Sequence, residues 1–340
     1  MIDRIIRDDV EHVVDGFEHD TFAEKSVLIT GGAGFLGSHL CDTLVALGAA
    51  VTCLDNFSTG LLKNVDHLLP KRGFRLVKED VSNFKENEKF EFIFHFASRA
   101  SPEEYQLYPV ETLLANSRGS HNMLELARQH DSTILFASSS EVYGDPQVVP
   151  TPESYLGNIN HLGARSCYVE GKRFSESLFM AFHRKYGLDM RIVRIFNTFG
   201  PRLRGDGFYA RVLSRFILQA LAGKRLTVYG DGSQTRSFCY ITDLILGVLL
   251  VSSNVKARGE VLNLGSSQEI PILDAAKQVV TIVGSNPGLS FHPLPEDDPM
   301  RRCPDTGKAK EILEWEPQVS LENGLERTIS WFRKQADGAS

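Results

Sequence analysis

An α/β fold, with a doubly wound parallel sheet and a smaller C-terminal lobe, is predicted by three features of this 340-residue chain. Short apolar runs alternate with helical patterns as far as residue 196. A glycine-rich turn, Gly31-Gly32-Ala33-Gly34-Phe35-Leu36-Gly37, joins the first run to the first long helical pattern. From about residue 197 the rhythm breaks into loops rich in Gly, Pro and Arg. Repeated strand-helix-strand units call for a parallel sheet with helices on both faces. A glycine turn at the first strand-helix junction makes that sheet the Rossmann type.

The elements follow in order. Ile2, Ile5, Ile6, Val10, Val13, Val14 and Phe17 recur at helical spacing and predict an amphipathic helix within residues 1–22, lying on the body or on a partner chain. Strands are predicted from SVLIT (26–30), AVTCLD (50–55), FRLVKED (74–80), FEFIFHFA (90–97), TILFASS (133–139) and DMRIVRIF (189–196). VLNLG (261–265) returns a further strand to the large lobe, so the small lobe is discontinuous. The expected division is a large domain over 23–196, with 237–267 returning to it, and a second lobe made of 197–236 and 268–340.

Composition bounds the function. With 42% hydrophobic and 24% charged residues and a net charge of −6, the chain is an ordinary globular protein without the basic field a nucleic acid needs. The five cysteines are widely spaced and form no C-x-x-C pair, so reduced thiols are expected and no metal site is indicated. The acidic start lacks the apolar run of a signal peptide or spanning helix, which makes the cytoplasm the expected location, away from membranes.

Glycines at 31, 34 and 37 permit a tight turn, close approach of backbone to a pyrophosphate, and close packing of helix on sheet. Phe35 and Leu36 open the helix, whose free N–H groups face the anion. Asp55 ends the next strand, eighteen positions after Gly37, where a carboxylate accepts from the ribose hydroxyls of an adenosine and repels a 2′-phosphate. NAD is therefore the expected cofactor. Asn56 beside it, and Asp80-Val81 after the third strand, complete the expected adenosine end.

Ser138-Ser139-Ser140-Glu141-Val142-Tyr143-Gly144 follows the strand TILFA, at the carboxyl edge where open α/β sheets place ligands. Tyr168 and Lys172, four apart, share one helical face. A nearby ammonium favours a phenolate, so the pair is suited to taking a proton from a substrate hydroxyl while the cofactor oxidises its carbon.

These motifs, with RIFNTFGPR, VYGDGSQTRSF and DDPMRRCPD, closely resemble the extended short-chain dehydrogenase/reductase family, which acts on nucleotide-linked sugars. The likeness runs from about residue 25 to 333. It implies that Ser139 hydrogen-bonds the reacting hydroxyl, that Tyr168 is the base, and that Lys172 also holds the nicotinamide ribose. It implies a nucleotide-sugar substrate, most simply UDP-linked, held by Asn197, Arg211, Tyr229, Arg236 and Arg302. Ser140-Glu141 after Ser139 resembles the UDP-glucuronate decarboxylase branch, whereas 4,6-dehydratases usually carry Asp-Glu there and 4-epimerases carry neither acid. On that likeness Glu141 and Arg302 act at carbons 5 and 6, and burial is expected to raise Glu141 into a range suited to proton transfer. Other enzymes of the family, or a non-catalytic NAD-sensing protein, are the alternatives. Two features depart from the branch: Glu111 and Leu114 stand where lysines are usual, and the loop LRGDGFYAR is long. Family likeness also implies a homodimer packed through helices near 110–128 and 168–186.

Overall fold

The computed structural model describes residues 2–17, 20–205, 211–294 and 298–337. Seven strands form one sheet: β1 (Ser26–Thr30), β2 (Ala50–Asp55), β3 (Phe74–Lys78), β4 (Phe92–His95), β5 (Thr133–Ser139), β6 (Met190–Ile195) and β7 (Val261–Leu264). Their order is β7-β6-β5-β4-β1-β2-β3, and every pairing is parallel. Strand order reverses between β1 and β4, which opens a crevice at the carboxyl edge.

Alternation along each strand feeds two cores. Val27 and Ile29 of β1 join Val51, Cys53, Phe94 and Leu135 on one face. Leu28 joins Ile93, Ile134, Phe136 and Ile192 on the other. Because successive side chains point to opposite faces, a strand buried on both sides reads as an unbroken apolar run, which is how SVLIT reads.

The first face is covered by α1 (Arg4–Asp15), α2 (Phe35–Ala46) and the helix Ile241–Ser253; the second by helices Ser120–His130 and Ser166–Tyr186. α1 lies on the body, with Ile6, Val10 and Val13 buried. Its Asp9 is also buried and accepts from the Tyr240 hydroxyl (2.8 Å) and from Arg327 Nε (2.9 Å), so the helix is held by more than its apolar stripe. α2 is buried around most of its circumference, and the polar groups that this encloses are paired. His39 Nε2 lies 2.9 Å from the Pro201 carbonyl, and Asp42 binds Arg202 (2.6 Å) and His67 (2.5 Å).

Short strands lie outside the seven-stranded sheet. Leu226–Tyr229 pairs in parallel with Leu289–His292, and Thr235–Ser237 pairs with both Glu269–Pro271 and Arg301–Arg302. In the last pairing Arg302 lies directly opposite Arg236. The centre of the long loop LRGDGFYAR, residues 206–210, falls outside the described residues. No helix among the described residues is long and apolar enough to cross a membrane.

Candidate active site

One cleft of about 610 Å³ runs along the carboxyl edge of the sheet. It is lined by Gly31, Gly34, Gly37, Phe35 and Leu36 of the turn, Asp55, Asn56, Asp80 and Val81, then Ser139, Ser140, Glu141, Tyr168 and Lys172, and finally Asn197, Arg211, Tyr229, Arg236 and Arg302.

The first arm lies over the glycine turn. Gly31 sits at φ +70°, and a Cβ there would come within 2.9 Å of the Ala97 backbone; a Cβ on Gly37 would lie 2.2 Å from the Gly31 carbonyl oxygen. Both positions thus exclude any side chain, one by backbone conformation as well as space and the other by the contact of helix with turn. Gly34 caps α2 in extended conformation, and a Cβ there would find only the Gly31 oxygen, at 3.1 Å. The N-terminal turn of α2 is therefore open to a phosphate. Asp55 accepts from Ala33 N (2.9 Å) and Phe57 N (2.8 Å), which ties the turn to the end of β2. Each of its oxygens keeps a further lone pair for a ribose hydroxyl. Burial raises its pKa, partly offset by those two backbone donors. Asn56 donates to Asp80 (2.7 Å), so the residues expected at an adenosine end are joined by a hydrogen bond. These residues fit a dinucleotide.

At the centre, Ser139 ends β5 and caps the short helical turn Ser140–Tyr143, its Oγ accepting from Glu141 N at 3.2 Å. The Tyr168 hydroxyl is hydrogen-bonded to Ser139, and the Tyr168 ring stacks on Tyr105 with centroids 5.0 Å apart and planes 5° from parallel. Lys172 Nζ donates to the Ala137 carbonyl at 2.8 Å and lies 5.7 Å from the Tyr168 ring centre. Burial depresses Lys172 to about 7 against the opposing charge of Glu176, and burial raises Tyr168 although Ser139 and Arg211 oppose it. In this state the phenol holds its proton at neutral pH, and the phenolate expected beside a fixed ammonium does not form from the lysine alone.

Glu141 is the main correction. Burial by itself would raise it, as expected, but Arg302 donates to it at 2.7 Å and Arg165 at 2.7 and 2.8 Å, and the two guanidiniums hold the carboxyl down to about 2. Glu141 is therefore an anion clamped between two cations. Asp298 extends the cluster, accepting from Arg236 (2.9 Å) and Arg165 (3.3 Å). Strand pairing sets Arg236 beside Arg302, and burial together with the Arg302 charge lowers Arg236 to about 10. The buried Nε of Arg302 has no hydrogen-bond partner. Three guanidiniums against two carboxylates leave one positive charge for an anionic group of a ligand.

Among the described residues the cleft is strongly polarised. The chain up to residue 115 brings Asp55, Glu79, Asp80, Glu103, Glu104 and Glu111 to it, with Arg99 the one cation. Beyond residue 137 the balance reverses, with Glu141 and Asp298 facing Arg165, Lys172, Arg204, Arg211, Arg215, Arg236 and Arg302. Glu111 lines the acidic part, whereas Leu114 is 39% exposed and outside the lining. Sequence reasoning missed Arg165, Asp298, Arg215 and Arg99. Arg165 had a signal, since it opens the helix that carries Tyr168 and Lys172, three positions before the tyrosine. The Arg215 guanidinium lies 4.8 Å from the Tyr229 ring centre, a pairing that no sequence spacing shows.

Comparison with known proteins places matches over the same span. The NAD dependent epimerase/dehydratase family model matches residues 27–265. UDP-glucuronic acid decarboxylase 1 of Xenopus tropicalis is 49% identical over 315 residues, which are 92% of this chain and 73% of the relative. Among solved structures, UDP-glucuronic acid 4-epimerase from Bacillus cereus, in complex with UDP-glucuronic acid and NAD, superimposes with a TM-score of 0.83 at 28% identity, covering 91% of this chain and 99% of that one. UDP-glucose 4-epimerase of Thermotoga maritima, with UDP-glucose, gives 0.84 at 30% identity, over 92% and 99%.

Proposed function

This chain belongs to the NAD dependent epimerase/dehydratase family, and on that premise we propose that it decarboxylates UDP-glucuronate to UDP-xylose, using NAD that is restored within each turnover. The observation that carries this reading is the arginine cluster around Glu141, which has one positive charge in excess and stands beside Ser139 and Tyr168 in the basic half of the cleft. The decarboxylase named above is similar over most of the chain and supports the same assignment.

Each residue then has a task. Arg211, Arg236 and Arg215, with Tyr229 and Asn197, line the basic part and suit the nucleotide and its diphosphate, because guanidiniums bind phosphate oxygens in pairs. Ser139 and Tyr168 meet the hydroxyl of carbon 4; the positive charge of a bound oxidised nicotinamide would favour the Tyr168 phenolate, which takes that proton. NAD bound over the glycine turn would supply the redox chemistry, holding the hydride of carbon 4 until it is given back at the end of the turnover. A ketone at carbon 4 places the carboxylate on carbon 5 β to a carbonyl, so the C5–C6 bond breaks, carbon dioxide leaves, and the electron pair of that bond passes into an enolate; protonation of the enolate at carbon 5 and return of the hydride to carbon 4 then give UDP-xylose. Arg302 and Arg165 orient the carboxylate end. Glu141, ionised at about 2, is a poor proton donor at neutral pH, and its part is to hold those arginines in place.

The exposed apolar residues Val110, Leu113, Leu114, Phe174 and Tyr186 lie on helices Pro109–Leu114 and Ser166–Tyr186, which pack together. They support a homodimer through this face.

The test is incubation of the full chain with NAD and UDP-glucuronate, followed by NMR of the sugar and capture of released gas. UDP-xylose and carbon dioxide are expected. UDP-galacturonate without gas release would assign the chain to the 4-epimerases instead.

A further inference from the structure

The acidic half of the cleft poses an electrostatic problem. A dinucleotide brings two negative charges on its diphosphate into a wall that carries six carboxylates. The N-terminus of α2 offsets only about half a charge. Arg204 crosses from the other lobe, but its guanidinium donates to the Thr59 carbonyl at 3.1 Å, close to the ribose end marked by Asp55. Among the described residues, the remaining full positive charge in this wall is Arg99.

Arg99 lines the cleft on a segment that borders the glycine turn. The segment that carries it starts at Ala97, which packs against Gly31 and donates to Thr30 Oγ1 at 3.1 Å. Ser98 Oγ accepts from Asn116 at 2.9 Å. The guanidinium lies 4.4 Å from the Tyr108 ring centre and is paired through one nitrogen with Glu104, which is buried. That leaves Nε and the second terminal nitrogen as donors, on a side chain 14% exposed in the cleft lining. Its charge reaches across the arm: Asp80, which burial would raise, is held below its ordinary range by hydrogen bonds from Ser82 and Asn56 and by Arg99.

We propose that Arg99 is the cationic ligand of the cofactor diphosphate in this protein, pre-set by Tyr108 and Glu104 and shared with Glu104 when the cofactor is bound. The proposal rests on the reading of the first arm as an NAD site. Glu104 competes with the phosphates for the same guanidinium, so the two residues should act in opposite directions on affinity.

Binding of ADP-ribose and of adenosine to the full chain, measured by calorimetry at low and high salt, tests this without turnover. Arg99→Gln should weaken ADP-ribose by about 10- to 150-fold, the worth of one charge-assisted hydrogen bond, and leave adenosine unchanged. The salt sensitivity of ADP-ribose binding should fall with it. Glu104→Gln, which is isosteric, should tighten ADP-ribose and leave adenosine unchanged. Unaltered ADP-ribose affinity in Arg99→Gln would overturn the proposal. So would equal losses for adenosine and ADP-ribose, because Arg99 would then merely hold the loop. A wild-type chain that binds neither ligand would overturn the NAD reading itself, and this proposal with it.

Discussion

Replacing Arg165 by Gln isolates what sets the charge of Glu141. The change removes both Arg165 contacts to the Glu141 carboxylate, at 2.7 and 2.8 Å, and the longer one to Asp298, but leaves the Arg302 contact at 2.7 Å. Both short contacts come from one nitrogen, Nη2, and count as one hydrogen bond to a charged group, ~1.5–3 kcal/mol; at about 1.4 kcal/mol per pKa unit the carboxyl should rise by roughly one to two units. Starting from about 2, it stays ionised at neutral pH but titrates nearer the ordinary carboxylate range. The acid limb of the pH profile for carbon dioxide release from UDP-glucuronate should then move upward by the same one to two units. Oxidation at carbon 4, followed separately by absorbance of the reduced cofactor, should lose less than decarboxylation does. An unmoved acid limb in a folded variant would refute the view that Arg165 holds Glu141 in its working ionisation state. Equal loss of both steps would show that Arg165 acts on binding as a whole.

Three further outcomes are expected. Tyr168→Phe should lower kcat by about 100-fold or more, the usual worth of a general base, while NADH fluorescence titration shows cofactor affinity nearly unchanged. Gly37→Ala, which places a methyl 2.2 Å from the Gly31 oxygen, should cost ~1–3 kcal/mol in denaturant unfolding and should abolish NADH binding. His39 and His95 are both depressed to about 3, first by burial and then by the charges of Arg202 and Lys172 respectively. Each therefore binds a proton more readily in the unfolded chain, so its contribution to stability is complete above about pH 6.5 and is lost at ~1.4 kcal/mol per pH unit as pH falls below that. His95→Gln should flatten this slope between pH 6 and 5, and an identical slope in wild type and variant would contradict the assignment.

The strands were legible because each buried run is short, apolar and bounded, and because burial on both faces leaves no alternation to confuse with a helix. β1, β2 and β5 begin and end at the residues that the pattern marks. The glycine turn was legible for a related reason: close approach of backbone to backbone is a local demand, satisfied within seven consecutive residues. α1 was half legible. Its apolar stripe showed a helix, but its seat on the body depends on Asp9 meeting Tyr240 and Arg327, which are 231 and 318 positions away.

By itself the sequence determined the parallel sheet, the glycine turn and the pairing of Tyr168 with Lys172, since each is set by the period of a strand or helix or by a turn of a few residues. Only the tertiary structure decided the charge state of Glu141. The burial that would raise its pKa was foreseeable from its place at a strand end. The arginines that reverse the shift come from a helix start 24 residues on and a strand 161 residues on. It also divided the cleft into an acidic half and a basic half, because Coulomb energy depends on distance in space and the groups that face each other there are not neighbours in the chain.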